Sequence, residues 1–212
     1  QQVVRIDRET KSTADARATR RLLAAVEKEI ESARAIIVGD YSKGVVTQEL
    51  LAGLRELCRP RGIWLSLDPK PAHHLDLTGL SLITPNRSEL FELAGLTDDT
   101  RHANPLRDKN LIAAVKAVQT QYHPALLLVT LSEQGMLLGQ RGVKPVVIPT
   151  VAQEVYDVSG AGDTVIASFT LAISAGASPL EAAIFSNHAA GVVVGKMGTA
   201  TVTPQELVRS FA

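Results

Sequence analysis

Only one cysteine, Cys58, occurs in 212 residues, so a disulfide framework is excluded and a reducing cytoplasm is the expected compartment. Charge of either sign is not in excess. Lysine plus arginine and aspartate plus glutamate both number 22, which leaves no basic field for nucleic acid and no asymmetry suited to a membrane surface. Apolar runs are too short or too interrupted to span a bilayer, and no signal-peptide pattern opens the chain, so no membrane partner is expected. The histidines at 73, 74, 102, 123 and 188 lack zinc spacing, and surface or capping roles are expected for them. No Gly-x-x-x-x-Gly-Lys-Ser/Thr loop occurs, and the third glycine of a dinucleotide fingerprint is replaced by Val165. What remains is a chain long enough for one large or two small domains with a substantial core.

The stretch around which the chain is organised runs from Glu154 to Thr164 and continues into an apolar run, Val165 to Ala175. Gly160 and Gly162 flank Ala161, and Asp163 follows directly. At the mouth of a helix, first-turn N–H groups have no partner inside the helix and the helix dipole adds partial positive charge, so amides converge on an anion. Glycine keeps side chains out of the ligand's path and tolerates positive φ. Asp163 would repel a phosphate but suits a base that accepts a hydroxyl proton from an acceptor. Taken alone, the same residues also fit an ordinary loop-to-helix turn in which Asp163 serves only the helix dipole.

Four short apolar runs, Ala35 to Gly39, Ile63 to Leu67, Leu80 to Ile83 and Ala125 to Val129, alternate with helical segments. The helices are expected near Ser12 to Ser32, with Leu22, Leu23, Val26 and Ile30 on one face, near Thr47 to Arg59 and near Pro105 to Tyr122. The runs read as strands buried on both faces of a parallel sheet. The fold class is therefore α/β, a doubly wound, mostly parallel sheet flanked by helices on both faces. Each run ends in polar groups: Asp40 and Lys43, Asp68 and Lys70, Asn86 and Glu89, Thr130 and Ser132. Carboxyl ends of strands are where open α/β sheets bind ligands, and packing alone gives no reason for charge to gather there. Gly135 to Gly139 and Lys144 to Ile148 read as a meander at one side of the sheet. Ser178-Pro179 and Thr203-Pro204 open the last two helices, and Val3 to Asp7 alternates like a half-exposed strand.

Several clusters carry two readings. Asn86 and Glu89 have the i, i+3 spacing that sets two oxygen ligands on one helical face, and equally the spacing of a helix capping box. Lys70 suits an anionic phosphate at a strand end or is a solvated surface charge, and Asp40 and Lys43 occupy a similar strand end with the same bland alternative. Asn187 is a polar position between helices. Cys58 is a small buried hydrophobe.

Asp157-Val-Ser-Gly-Ala-Gly-Asp163 resembles the C-terminal signature of the ribokinase-like (PfkB) family of sugar kinases, with Val158 in place of the usual threonine. Gly39 to Gly44, Asp68 to Lys70, Thr84 to Glu89, Val129 to Met136 and Ala190 to Thr199 are similar to one branch, the D-glycero-D-manno-heptose 7-phosphate kinases, over essentially the whole chain. The resemblance implies a ribokinase-like fold over residues 1–212, the C-terminal two-thirds of one kinase domain. Residues 1–10 would lead out of a substrate lid, residues 11–212 would form the nucleotide-binding core, and a further N-terminal segment with strands and a Gly-Gly loop would precede Gln1. ATP and a sugar phosphate are the implied partners, with dimerisation through the lid.

Roles follow by position. Asp163 would be the base, with the amides of Gly160, Ala161 and Gly162 as anion hole. Asp40, Lys43 and Lys70 would approach the sugar or its phosphate. Asn86, Thr130, Ser132, Gly135 and Asn187 would bind nucleotide, with Ser132 replacing a family glycine. Asn86 and Glu89 would support Mg²⁺ through water, and Asp157 with the loop 196–201 a monovalent cation such as K⁺. The alternatives are another PfkB-type sugar kinase or a nucleotide-binding fragment that is catalytically inert.

Overall fold

The computed structural model describes residues 12–71, 75–152 and 154–212. The expected strand Val3 to Asp7, and His73 and His74, lie outside the described residues. Four parallel strands, β1 (Ala35–Gly39), β2 (Trp64–Asp68), β3 (Leu82–Ile83) and β4 (Leu126–Thr130), are followed by an antiparallel meander, β5 (Met136–Gln140) and β6 (Val146–Ile148). The spatial order is sequential, β1 to β6. Right-handed crossovers that always step the same way put their helices on one face. Accordingly α1 (Ala16–Glu29), α2 (Gln48–Cys58), α3 (Arg87–Ala94) and α4 (Lys109–Tyr122) share a core with Leu65, Leu67, Leu127 and Val129. The other face is covered only after the meander, by α5 (Ala161–Ser174) and α6 (Pro179–Val194), with α7 (Pro204–Arg209) packed on α6.

Side-chain alternation decides which face each residue serves. On β4, Leu127 and Val129 join the first core while Leu126 and Leu128 meet Val165, Ile166 and Phe169 of α5 in the second. Those α5 residues recur at helical spacing, which accounts for the apolar run after Asp163. Beneath α5, buried Ser66 exchanges a 2.8 Å hydrogen bond with Thr170 and accepts one from Trp64 Nε1, so the polar atoms at this contact are satisfied. Among the described residues no helix is long and apolar enough to cross a membrane.

Two boundaries and two burial expectations differ. α1 begins at Ala16 because Asp15 accepts from the Ala18 amide at 2.7 Å, and its Leu22 is 40 % exposed while Leu23 and Val26 pack on the core. α4 begins at Lys109, where Asp108 caps Leu111, and Pro105–Arg107 form a separate 3₁₀ turn. β1 is not buried on both faces: Ile37 is 42 % exposed, because β1 pairs only with β2 among the described residues. Cys58 is buried as expected, and His123 caps α4 in the left-handed region.

Candidate active site

Parallel register brings the strand ends level. Gly39 pairs with Asp68, Leu67 with Ile83, and Ile83 with Leu127, so the polar residues that follow all emerge at one edge of the sheet. Side-chain bonds knit them together. Asn86 Oδ1 caps α3 by accepting from the Glu89 amide at 3.0 Å, and Glu89 Oε2 accepts from the Asn86 amide at 2.8 Å. The remaining Glu89 oxygen accepts from Lys70 Nζ. Asn86 also forms an isolated parallel bridge with Thr130, which ties the third and fourth clusters.

The capping-box reading of Asn86 and Glu89 is thus realised, and Lys70 is an ion-pair partner before it meets any ligand. Asp40 is buried, its carboxylate accepting from the Ser42 amide at 2.8 Å, and its other oxygen has no partner among the described residues. Lys43 is half-buried in the same loop.

Asp68 holds an unfavourable position. Burial pushes its carboxyl up to about 6; Glu89 and Asp163 push the same way, while Lys70 and the Thr84 hydroxyl oppose them. Two further carboxylates therefore bear on Asp68 beside the Lys70 ammonium, a charge balance that a divalent cation would correct. Among the described residues no three acidic, histidine or cysteine side chains converge as a metal cage. The donor set fits Mg²⁺ held largely through water and ligand oxygens.

A testable consequence concerns pH. The folded carboxyl of Asp68 holds its proton up to about pH 6, whereas the unfolded chain releases it near 3.8. Between these values the folded state binds more protons, so unfolding free energy declines as pH rises from about 4 to about 6 and stays lower above. Asp68→Asn should remove that decline and stabilise the protein at pH 7–8 by about 1–2 kcal/mol, read from urea unfolding across pH.

The start of α5 supplies the complementary half. Gly160 takes φ +79°, which only glycine adopts without strain, and ends a turn in which the Ala161 amide donates to Val158 O at 3.1 Å. Of the three amides expected to form the anion hole, that of Ala161 is thus engaged within the turn. The amides of Gly160, Gly162 and Asp163 have no acceptor among the described residues. A Cβ on Gly162 would meet no protein atom within 4 Å. The space beside it is a cavity of about 460 Å³ that reaches from Ala161 and Gly162 past Thr130 and Ser132 to Asn187 and Ala190. Asn187 is buried and donates to Pro149 O at 2.7 Å, so it fixes the cavity wall, while Val193 belongs wholly to the core.

The loop after β4 shows what its glycine pattern is for. Ser132 sits at φ +53° and Gly135 at φ +83°. A serine thus holds the left-handed conformation where the family signature has glycine, at a cost of about 1 kcal/mol. The Ser159 hydroxyl and, at 2.8 Å, its amide hold the Asp157 carboxyl below the usual range, with a smaller contribution from the Gly198 amide that attaches it to the loop 196–201. Lys196 closes that loop by donating to Thr201 O at 2.8 Å and pairing with Glu206 at 2.7 Å.

One participant was invisible in the sequence. Tyr41, next to Asp40, donates its hydroxyl to Asp163 Oδ1 at 2.8 Å across 122 residues of chain. Asp163 therefore faces the edge that carries Asp40, Lys70 and Asn86, and the corner is open.

Comparison with known proteins agrees with this layout. Residues 6–206 match the profile of pfkB family carbohydrate kinases. The bifunctional protein HldE of Sulfurimonas denitrificans is 40% identical over 208 residues, covering 98% of this chain and 42% of its own length. HldE of Helicobacter pylori strain J99 is 42% identical over 207 residues, covering 98% and 43%. The chain thus spans less than half the length of these relatives. In fold it is similar to Escherichia coli phosphofructokinase-2 in complex with potassium, with TM-score 0.77 at 18% identity over 94% of this chain and 62% of that one. It is also similar to Arabidopsis thaliana ribokinase complexed with ribose and ATP, with TM-score 0.74 at 21% identity over 88% and 58%.

Proposed function

Because the chain belongs to the pfkB family of carbohydrate kinases, we propose that it transfers the γ-phosphoryl group of ATP to the anomeric hydroxyl of D-glycero-β-D-manno-heptose 7-phosphate, giving the 1,7-bisphosphate. The observation that carries the proposal is the pair of unpaired amides at Gly160 and Gly162, set beside an exposed Asp163 and opening on a nucleotide-sized cavity. Support for the heptose comes from the sequence motifs shared with that branch and from about 40% identity to HldE proteins over nearly the whole chain.

In the transfer, the acceptor oxygen forms a bond to the γ-phosphorus as the bond to the departing ADP oxygen breaks, and Asp163 takes the acceptor's proton. The Gly160 and Gly162 amides hold charge on the phosphoryl oxygens in place, without reorganising at the moment of reaction. Thr130, Ser132, Gly135 and Asn187 line or shape the nucleotide's side of the cavity. Asn86 and Glu89, with Asp68, would hold Mg²⁺ through water, and the ion neutralises phosphate charge when bound. Asp157 and the loop 196–201 would hold a monovalent cation behind the amides. On the acceptor's side Lys70, Lys43 and Asp40 meet the sugar phosphate, Lys70 exchanging Glu89 for the anion.

The test is ADP release by the full-length protein with ATP and a sugar panel. The heptose phosphate should exceed ribose and fructose 6-phosphate by about 100-fold in kcat/KM. Turnover of ribose or fructose 6-phosphate alone would replace the substrate within the same family. Nucleotide binding without turnover of any sugar would make the protein a nucleotide-binding one.

A further inference from the structure

The loop after β1 does more than carry the candidate sugar ligands. Tyr41 is 60 % exposed, so burial of its ring does not explain its place. The ring lies against Gly39, where an added Cβ would come within 3.3 Å of it, and the hydroxyl reaches Asp163 Oδ1 at 2.8 Å. A phenylalanine would rest on Gly39 equally well; the hydroxyl is what the contact with Asp163 needs. No other side-chain hydrogen bond to Asp163 is formed among the described residues. One carboxylate oxygen is thereby held, and the other is left for the acceptor.

We propose that Tyr41, seated on Gly39, is the positioning residue of Asp163, fixing the carboxylate so that Oδ2 receives the proton of the acceptor hydroxyl. The proposal rests on the reading of Asp163 as the base. The phenol stays a donor because the hydrogen bond to Asp163, reinforced by burial and the carboxylate's charge, raises its pKa above 10.0. An exposed carboxylate at the first turn of a helix otherwise samples several rotamers, of which one faces the acceptor. Holding it in that one lowers the entropy lost on reaching the reactive geometry.

The experiment compares Tyr41→Phe, Gly39→Ala, their combination and Asp163→Asn in the full-length protein, using the sugar that the wild type phosphorylates. Tyr41→Phe should lower kcat about 10- to 100-fold, the scale of a hydrogen bond to a charged group, with both KM values within about 2-fold. Gly39→Ala, which pushes the ring outward by a few tenths of an ångström, should lower kcat in the same sense and by less. The double variant should be no slower than Tyr41→Phe alone, because both act through one contact. Without any sugar, the wild-type-minus-Tyr41→Phe absorbance titration should show a phenol that titrates above 10 and moves down in Asp163→Asn. Wild-type kcat in Tyr41→Phe beside an inactive Asp163→Asn would overturn the positioning role and leave the base standing. Near-normal turnover in Asp163→Asn would remove the base, and the positioning role with it.

Discussion

Asp163→Asn is expected to lower kcat by about 100- to 10,000-fold while the KM for ATP stays nearly constant. Asparagine keeps the size of the side chain and an oxygen that can still accept from Tyr41, whose hydroxyl lies 2.8 Å from Oδ1, so the corner should keep its shape. What it loses is the capacity to take a proton. The nucleotide's side of the cavity, from Thr130 to Asn187, is untouched by the change. A selective loss of kcat therefore separates proton acceptance from binding. Steady-state kinetics with isothermal titration of ATP would check it, and equal losses in kcat and ATP affinity would reassign Asp163 to holding the nucleotide.

Gly135→Ala should have the largest effect on stability, about 3–5 kcal/mol, read from the urea midpoint. Gly135 adopts φ +83° with ψ −123°, outside the range of residues with a Cβ. An added Cβ would lie 2.1 Å from Ile148 O and 2.5 Å from the Thr150 amide, and neither backbone atom can swing away as a side chain does. The carbonyl of Gly135 accepts from the Leu131 amide at 2.8 Å and its amide donates to Ser132 O at 3.0 Å. Any shift that relieves the overlap must separate β6 from the Ser132 turn, so ATP binding should weaken together with folding. Gly142, also at positive φ but with nothing within 4 Å of its Cβ position, provides the comparison: Gly142→Ala should cost only about 1 kcal/mol.

How much of this was legible beforehand depended on the reach of each interaction. The strand runs, the proline-marked helix starts at Ser178 and Thr203 and the apolar stripe of α5 are local patterns, and they were read to within a residue or two. The shared polar edge was also legible, because parallel strands joined by helices must end level. Ile37 was misread: a continuous apolar run looks the same wherever it lies in a sheet, and among the described residues β1 has β2 as its only strand partner. The engagement of the Ala161 amide within its turn depends on the conformation of one loop, which spacing alone does not determine. The raised carboxyl of Asp68 arises from burial together with Glu89, 21 positions away, and Asp163 on a later helix. Tyr41 was out of reach for the same reason.

The sequential order of the sheet has a consequence for the newborn chain. Asp40, Lys70, Asn86 and Thr130 are delivered by successive crossovers, yet their counterpart arrives on α5, after the meander, from the opposite face. A ribosome must therefore release all six described strands and the first turn of that helix before the two halves of the candidate site can meet. Half-made copies of the protein hold one half of that site without the other.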